Sequence, residues 1–165
     1  MKHASANERI RKPITLAEAR SAALLYYLPD EETYKKAETL VSQLAEMGIK
    51  TRVACYSDLK ISPHYFIPKI SQDIVMVKDL NWCLQPKKTF VKEFIDTEFD
   101  ILIDLSLKEH LPLLYLASLS KAVLKVGRYQ EDYELFYDLM IHTSDDETID
   151  SFAEQVLHYL GKINI

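Results

Sequence analysis

Two polar side chains at the end of one apolar strand, Asp104 and Ser106, are the residues best suited to chemistry. Asp104 lies near the end of the run 100–105, where a carboxylate is costly to bury without a partner. It could act as a general base or contact a ligand, or it could bond loop amides or a nearby cation. Ser106 could be a nucleophile, but the spacing Ser106-Leu-Lys-Glu109 fits a capping box and favours a helix cap. Pro112 would fall in the second turn of such a helix, so the helix could instead begin near Pro112.

Arg128 follows another predicted strand and could grip a phosphate or carboxylate through its planar guanidinium. It could equally pair with the acidic run that follows, because residues 131–154 contain nine acidic and no basic residues. Ligands of parallel α/β folds bind beyond the carboxyl ends of the strands. Other predicted strands end at further candidate ligand-binding residues, namely Ser57, Asp58 and His142. We therefore expect a ligand site built from strand-end residues, and we assign no catalytic residue.

The glycine content excludes several common sites. The chain has 165 residues and only three glycines, whereas average usage of about 7% would give roughly eleven to twelve. Loops that cradle phosphates need several glycines close together, so the usual dinucleotide-binding and P-loop fingerprints are absent, as is the nucleophile elbow. The two cysteines and five histidines show no recognisable metal-ligand spacing. We expect neither a metal nor a cofactor.

Residues 1–20 differ in charge from the rest, with five basic and two acidic side chains. We predict a basic N-terminal arm or short helix over 1–20 and a single α/β domain over 21–165. The arm could touch nucleic acid or an anionic membrane, but a solvated terminus is the simpler interpretation. The net charge of −5 disfavours nucleic acid as a partner. No secretory signal or membrane-spanning run is visible, so we expect a cytoplasmic location.

Apolar runs and helical stripes alternate along the chain. The pattern predicts six strands at Ala22–Leu28, Ile49–Tyr56, Gln72–Lys78, Asp100–Leu105, Ala122–Gly127 and Tyr137–His142. It also predicts four helices. The first is capped by Asp30 and ended by Gly48, and the second is opened by Pro86. The third covers Pro112–Lys121, and the fourth begins at the capping box Ser144–Glu147 and ends at Gly161.

This order predicts a three-layer α/β/α sandwich with a Rossmann-like, mostly parallel sheet of about six strands. The strand order expected first is 3-2-1-4-5-6. The helix near 112–120 has almost no polar face. We expect it to be deeply buried or to form a surface for self-association or a protein partner.

The chain also contains several aromatic residues near the predicted loop that joins the second and third strands. Tyr56, Tyr65, Phe66 and Trp82 could form a patch for partners or bases there. Core and loop-anchoring roles are the more ordinary interpretation of the same residues.

Residues 99–128 resemble one stretch of the N-terminal half of heptosyltransferase-type glycosyltransferases. The similarity lies in Phe99-Asp-Ile-Leu-Ile-Asp104-Leu-Ser106, an apolar helix and Val126-Gly127-Arg128. It implies a strand–helix–strand layout and no catalytic residue, because the glycine-rich entry loop is missing and the chain has room for one half only. The whole chain also resembles an uncharacterised family of small Bacteroidetes-type bacterial proteins, through Asp79-Leu-Asn-Trp82 and the same two strands.

Two functions remain open on the sequence. The first is a non-catalytic ligand-binding or protein-interaction module. The alternative is a small enzyme or degenerate glycosyltransferase-like domain that uses Asp104, Ser106 and Arg128. The alternative requires these three side chains to converge on one pocket.

Overall fold

The computed structural model describes residues 9–163 and contains a six-stranded, fully parallel sheet. The strand order is β3-β2-β1-β4-β5-β6, which confirms the predicted order and the Rossmann-like fold class. The strands are β1 Ser21–Tyr27, β2 Lys50–Ser57, β3 Gln72–Met76, β4 Ile101–Asp104, β5 Leu124–Arg128 and β6 Leu139–Ile141. The helices are α1 Glu31–Glu46, α2 Phe90–Asp96, α3 Leu111–Leu119 and α4 Ile149–Gly161.

The sheet separates two hydrophobic cores, one on each face. Helices α1 and α4 pack together on one face, and α2 and α3 pack on the other. Strand β1 is apolar throughout its middle because alternate side chains enter both cores: Leu24 enters the first and Leu25 the second, and both are fully buried. The fold class therefore follows from the continuous apolar run that the sequence shows.

The predicted caps of α1 are confirmed. Asp30 accepts a hydrogen bond from the Thr33 amide at 2.8 Å, and Gly48 beyond the C-cap has a φ of +79°. The capping-box prediction for α4 is wrong, because Thr148 is its N-cap and accepts from the Ser151 amide. Glu147 does contact Ser144, but it does so in the turn before the helix.

The prediction that Pro86 opens a helix is also wrong. Helix α2 begins at Phe90, because the segment before it is held as a tight loop by an antiparallel bridge between Leu80 and Pro86. Asn81 organises this loop: its side-chain oxygen accepts from the amides of Cys83 and Gln85. These local hydrogen bonds compete with helix formation.

The described part of the N-terminal segment, residues 9–20, contains a turn and no helix. The Arg9 guanidinium binds the Asp138 carboxylate at 2.7 and 2.9 Å and donates to the carbonyls of Ala122 and Val123. Ile14 and Ala19 are buried in the first core. Residues 9–20 are therefore anchored to the sheet, while residues 1–8 of the expected arm lie outside the described residues.

Helix α3 lies against the sheet, and most of its apolar side chains are buried. Leu111, at its first turn, is exposed, and Tyr115 is half-buried. Within residues 9–163, no helix combines the length and the apolar character that crossing a membrane requires.

Candidate functional site

Asp104, Ser106 and Arg128 line one cavity at the carboxyl ends of β4 and β5. The convergence that the enzyme alternative required is therefore present. We call this space the strand-end cavity, and its volume is about 20 Å³. Its other lining residues come from the loop after β4, the start of α3 and the segment after β5: Lys108, Glu109, His110, Leu114, Tyr133 and Tyr137.

Asp104 is the buried acid of the cavity, with 5% of its surface exposed. Its carboxylate accepts one hydrogen bond from the Ser106 amide at 2.9 Å and another from the Tyr137 hydroxyl at 2.5 Å. Burial raises the pKa of Asp104, and the hydrogen bonds from Ser106 and Tyr137 oppose the rise. Burial and the Asp104 charge together raise the pKa of Tyr137. The two hydrogen bonds hold the carboxyl in place, while burial extends its protonated form to a higher pH than is usual for an aspartate.

Gly127 positions Tyr137. A Cβ atom built on Gly127 would lie 2.7 Å from Cε1 of the Tyr137 ring, which is closer than real Cβ atoms approach. The ring can therefore lie against β5 and reach Asp104 only because residue 127 has no side chain.

Ser106 is not the cap of α3, which corrects the capping interpretation. The helix begins at Leu111, with His110 at its N-cap, so Pro112 falls in the first turn. A proline is tolerated there because its missing N–H would have no partner within the helix. The Ser106 hydroxyl is buried beside Asp104 and forms no hydrogen bond of normal geometry.

Arg128 does not pair with the acidic run that follows it, contrary to one of the two expectations. Its Nη2 donates to the Gln130 side chain at 2.9 Å, and its Nε is buried without a hydrogen-bond partner. Among residues 9–163, no carboxylate comes within 4.0 Å of this guanidinium. The cation is therefore available to a guest in the cavity.

Three polar atoms around the cavity lack a hydrogen-bond partner: Ser106 Oγ, Arg128 Nε and the Tyr133 hydroxyl. Leaving each one unpaired costs about 1–3 kcal/mol, so a polar guest is strongly favoured. Burial and the neighbouring Glu109 carboxylate raise the pKa of Tyr133, which keeps its hydroxyl protonated and able to donate. The volume fits a water molecule or a single small group, whereas sites for whole ligands need about 300 Å³ or more.

His110 is a site residue that sequence reasoning missed, as it missed Tyr133 and Tyr137. Its ring stacks on Tyr27 with centroids 4.2 Å apart and lies 5.9 Å from the Tyr56 centroid. Burial lowers the pKa of His110, while the charges of Asp104 and Asp58 oppose the fall. The sequence also allowed α3 to begin near Pro112. That alternative places His110 in the loop after β4, and it is the sequence signal from which His110 could have been predicted as a site residue.

The remaining sequence candidates lie outside the cavity. Ser57 is fully buried and accepts from the Leu59 amide, which is a turn contact. Asp58 accepts from the Tyr27 hydroxyl at 2.8 Å, next to the ring stack of His110. His142 stacks on Tyr129 with centroids 4.1 Å apart beside β6. Together with the cavity residues they share one edge of the sheet, but they do not form one site.

The expected aromatic patch does not form as one cluster. Tyr65 and Phe66 pack around Tyr34, with Phe66 buried. Trp82 is 93% exposed and has no ring contact with another described aromatic residue. Tyr56 lies with Tyr27 instead. Within the described chain, no three His, Cys, Asp or Glu side chains come close enough to hold a metal ion.

Comparisons with known proteins give one family and one solved structure. The sequence pattern of a family of unknown function (DUF6913) matches residues 1–163. No curated protein matches the chain. The chain is similar to the solved structure of E. coli heptosyltransferase WaaC with ADP, at 14% identity and a TM-score of 0.45. That match covers 86% of this chain and 48% of the heptosyltransferase, so the chain spans about half of that protein.

Proposed function

The chain belongs to this family of unknown function, and we propose that it binds a small ligand through an anionic group held in the strand-end cavity. The anionic group would be a carboxylate or a phosphate. Arg128 Nε, Ser106 Oγ and the Tyr133 hydroxyl would be its donors. The observation that carries the proposal is that these three buried donors, one of them cationic, surround one cavity without partners.

The position of the cavity supports an anion. It lies at the N-terminal end of α3, whose aligned peptide dipoles favour negative charge. Pro112 has no N–H, and the amides of Leu113 and Leu114 already donate to the His110 carbonyl. The helix end thus adds positive potential to the cavity through its dipole rather than through these amides.

Two carboxyl groups also line the cavity, and they set the pH dependence of binding. Burial raises the pKa of Asp104 and already favours its neutral form. An anion beside it would raise that pKa further, so binding would take up a proton. Glu109 is exposed and lies beside Tyr133. Affinity for the anion should therefore increase as the pH falls.

The test is a titration of the protein with inorganic phosphate and, separately, with acetate, followed in ¹H–¹⁵N NMR spectra. The proposal predicts saturable shifts of the Ser106 and Leu111 amides. Arg128→Gln should abolish them, and Arg128→Lys, which keeps the charge but lacks Nε, should weaken them about tenfold or more. Lys87→Gln removes an exposed cation elsewhere and should change nothing. Shifts that never saturate, or that persist in Arg128→Gln, would refute the proposal.

A second function, proton transfer at Asp104, is favoured by one observation: a buried carboxyl of raised pKa faces a cavity that it shares with Arg128, an arginine whose Nε has no hydrogen-bond partner. A panel of nitrophenyl phosphates, esters and glycosides would test it. Turnover that falls about 100-fold or more in Asp104→Asn, but not in Lys87→Gln, would support catalysis. Turnover absent in the wild-type protein, or equal in both variants, would leave ligand binding as the function.

A further inference from the structure

Three aromatic rings form a ledge beside the strand-end cavity, and we call Tyr27, Tyr56 and His110 the aromatic ledge. The His110 ring stacks on Tyr27 at 4.2 Å with an interplanar angle of 19°, and Tyr56 lies 6.1 Å from Tyr27. All three residues are half-buried, so part of each is exposed to solvent. The ledge lies at the carboxyl ends of β1 and β2, and β1 and β4 flank the point where the strand order reverses.

The ledge and the cavity share a residue. His110 lines the strand-end cavity and is also part of the ring stack. A cavity of about 20 Å³ holds one small group, so the rest of any larger ligand must lie outside it. A ligand that leaves the cavity past His110 meets the rings of Tyr27 and Tyr56.

The ledge is also held in place before any ligand arrives. The Tyr27 hydroxyl donates to Asp58 at 2.8 Å, which fixes one ring, and the His110 ring stacks on that ring at 4.2 Å. Tyr27 and Tyr56 face each other in register on adjacent strands. Little side-chain freedom would therefore be lost when a flat group packs on this surface.

We infer that the ligand is an aromatic acid, an aryl carboxylate or an aryl phosphate, with its anionic group in the cavity and its ring against the aromatic ledge. This inference rests on the proposed function, because it requires the anionic group to bind at Arg128. Contact between aromatic rings adds an affinity gain that an alkyl group cannot match. The expected gain of an aryl over a methyl acid is about tenfold.

The experiment compares matched acids by isothermal titration calorimetry: benzoate with acetate, and phenyl phosphate with methyl phosphate. In the wild-type protein each aryl acid should bind about tenfold more tightly than its methyl partner. Tyr56→Leu should lower that ratio to about two while leaving the affinity for acetate unchanged. The matched control is Tyr129→Leu, which removes a ring from the other Tyr–His stack, outside the cavity, and should leave the ratio at its wild-type value.

The outcomes separate the two proposals. If acetate and methyl phosphate bind but the aryl ratio in the wild-type protein is near one, the aromatic inference fails and the anion site stands. If no acid binds, the proposed function fails and this inference fails with it. Contacts between benzoate protons and the Tyr56 and His110 rings, seen as intermolecular NOEs in the wild-type protein, give a test that does not depend on the folding of a variant. Their absence at saturating benzoate would overturn the inference.

Discussion

Gly127→Ala is the substitution whose consequence follows most directly from the geometry. The added methyl group would lie 2.7 Å from Cε1 of Tyr137, so the ring must move. Overpacking of this kind costs about 1–3 kcal/mol. Movement of the ring also breaks the 2.5 Å hydrogen bond to Asp104 and leaves a buried carboxyl oxygen without that partner, which costs about 1–3 kcal/mol. The expected loss in the free energy of unfolding is about 2–6 kcal/mol.

The assay is urea denaturation of four proteins: wild type, Gly127→Ala, Tyr137→Leu and the double variant. Tyr137→Leu removes the ring, so Gly127→Ala should cost less than about 1 kcal/mol in that background. Gly161→Ala is the matched control, because a Cβ there meets nothing within 4 Å and the residue lies at the end of α4. It should change stability by no more than about 1 kcal/mol.

A loss in Gly127→Ala no larger than in Gly161→Ala would refute the reasoning. So would a loss that is unchanged when Tyr137 is replaced by leucine, because the cost would then have another source.

Two further predictions concern charged groups. Burial and the nearby charge of Arg9 lower the pKa of Lys125 to about 7, so below pH 7 the folded state carries the full cost of the buried charge. Between pH 7 and pH 9 the folded protein has released that proton and the unfolded protein still holds it. The free energy of unfolding should therefore rise by about 2–3 kcal/mol over this range. Lys125→Met should flatten this rise in denaturation curves at the two pH values, and an equal rise in both proteins would contradict the assignment. Asp104→Asn should make phosphate binding less dependent on pH, because it removes the carboxyl that takes up a proton when the anion binds. Asp30→Asn, which keeps the helix cap, should leave the pH dependence unchanged, and an unchanged pH dependence in Asp104→Asn would contradict the assignment of that proton to Asp104.

The fold was predictable because its signals are local. The apolar run of β1 and the stripe of α1, closed by Asp30 and Gly48, are each contained within one short segment. Strands that alternate with helices then leave few ways to build a sheet, and the expected strand order proved correct. The caps of α3 and α4 were less predictable, since two overlapping capping signals compete in each loop and only packing selects between them.

The cavity was predictable only in part. Ligands of parallel α/β folds bind beyond the carboxyl ends of the strands, and this rule located Asp104, Ser106 and Arg128 because it depends on topology alone. Tyr137 contributes through a contact with Asp104 across 33 residues of sequence, and no local pattern encodes that contact. The anchoring of Arg9 by Asp138 spans 129 residues and was hidden for the same reason.

The measurement that tests the central claim most directly is the NMR signal of Arg128 Nε–H during titration with benzoate. The account predicts that this signal shifts saturably and becomes protected from exchange with water, because the carboxylate supplies the partner that Nε lacks. The Nε–H of Arg52, which is already bound to Asp73, should not change. An Arg128 signal that stays constant up to saturating benzoate, or moves only as the Arg52 signal does, would contradict the account.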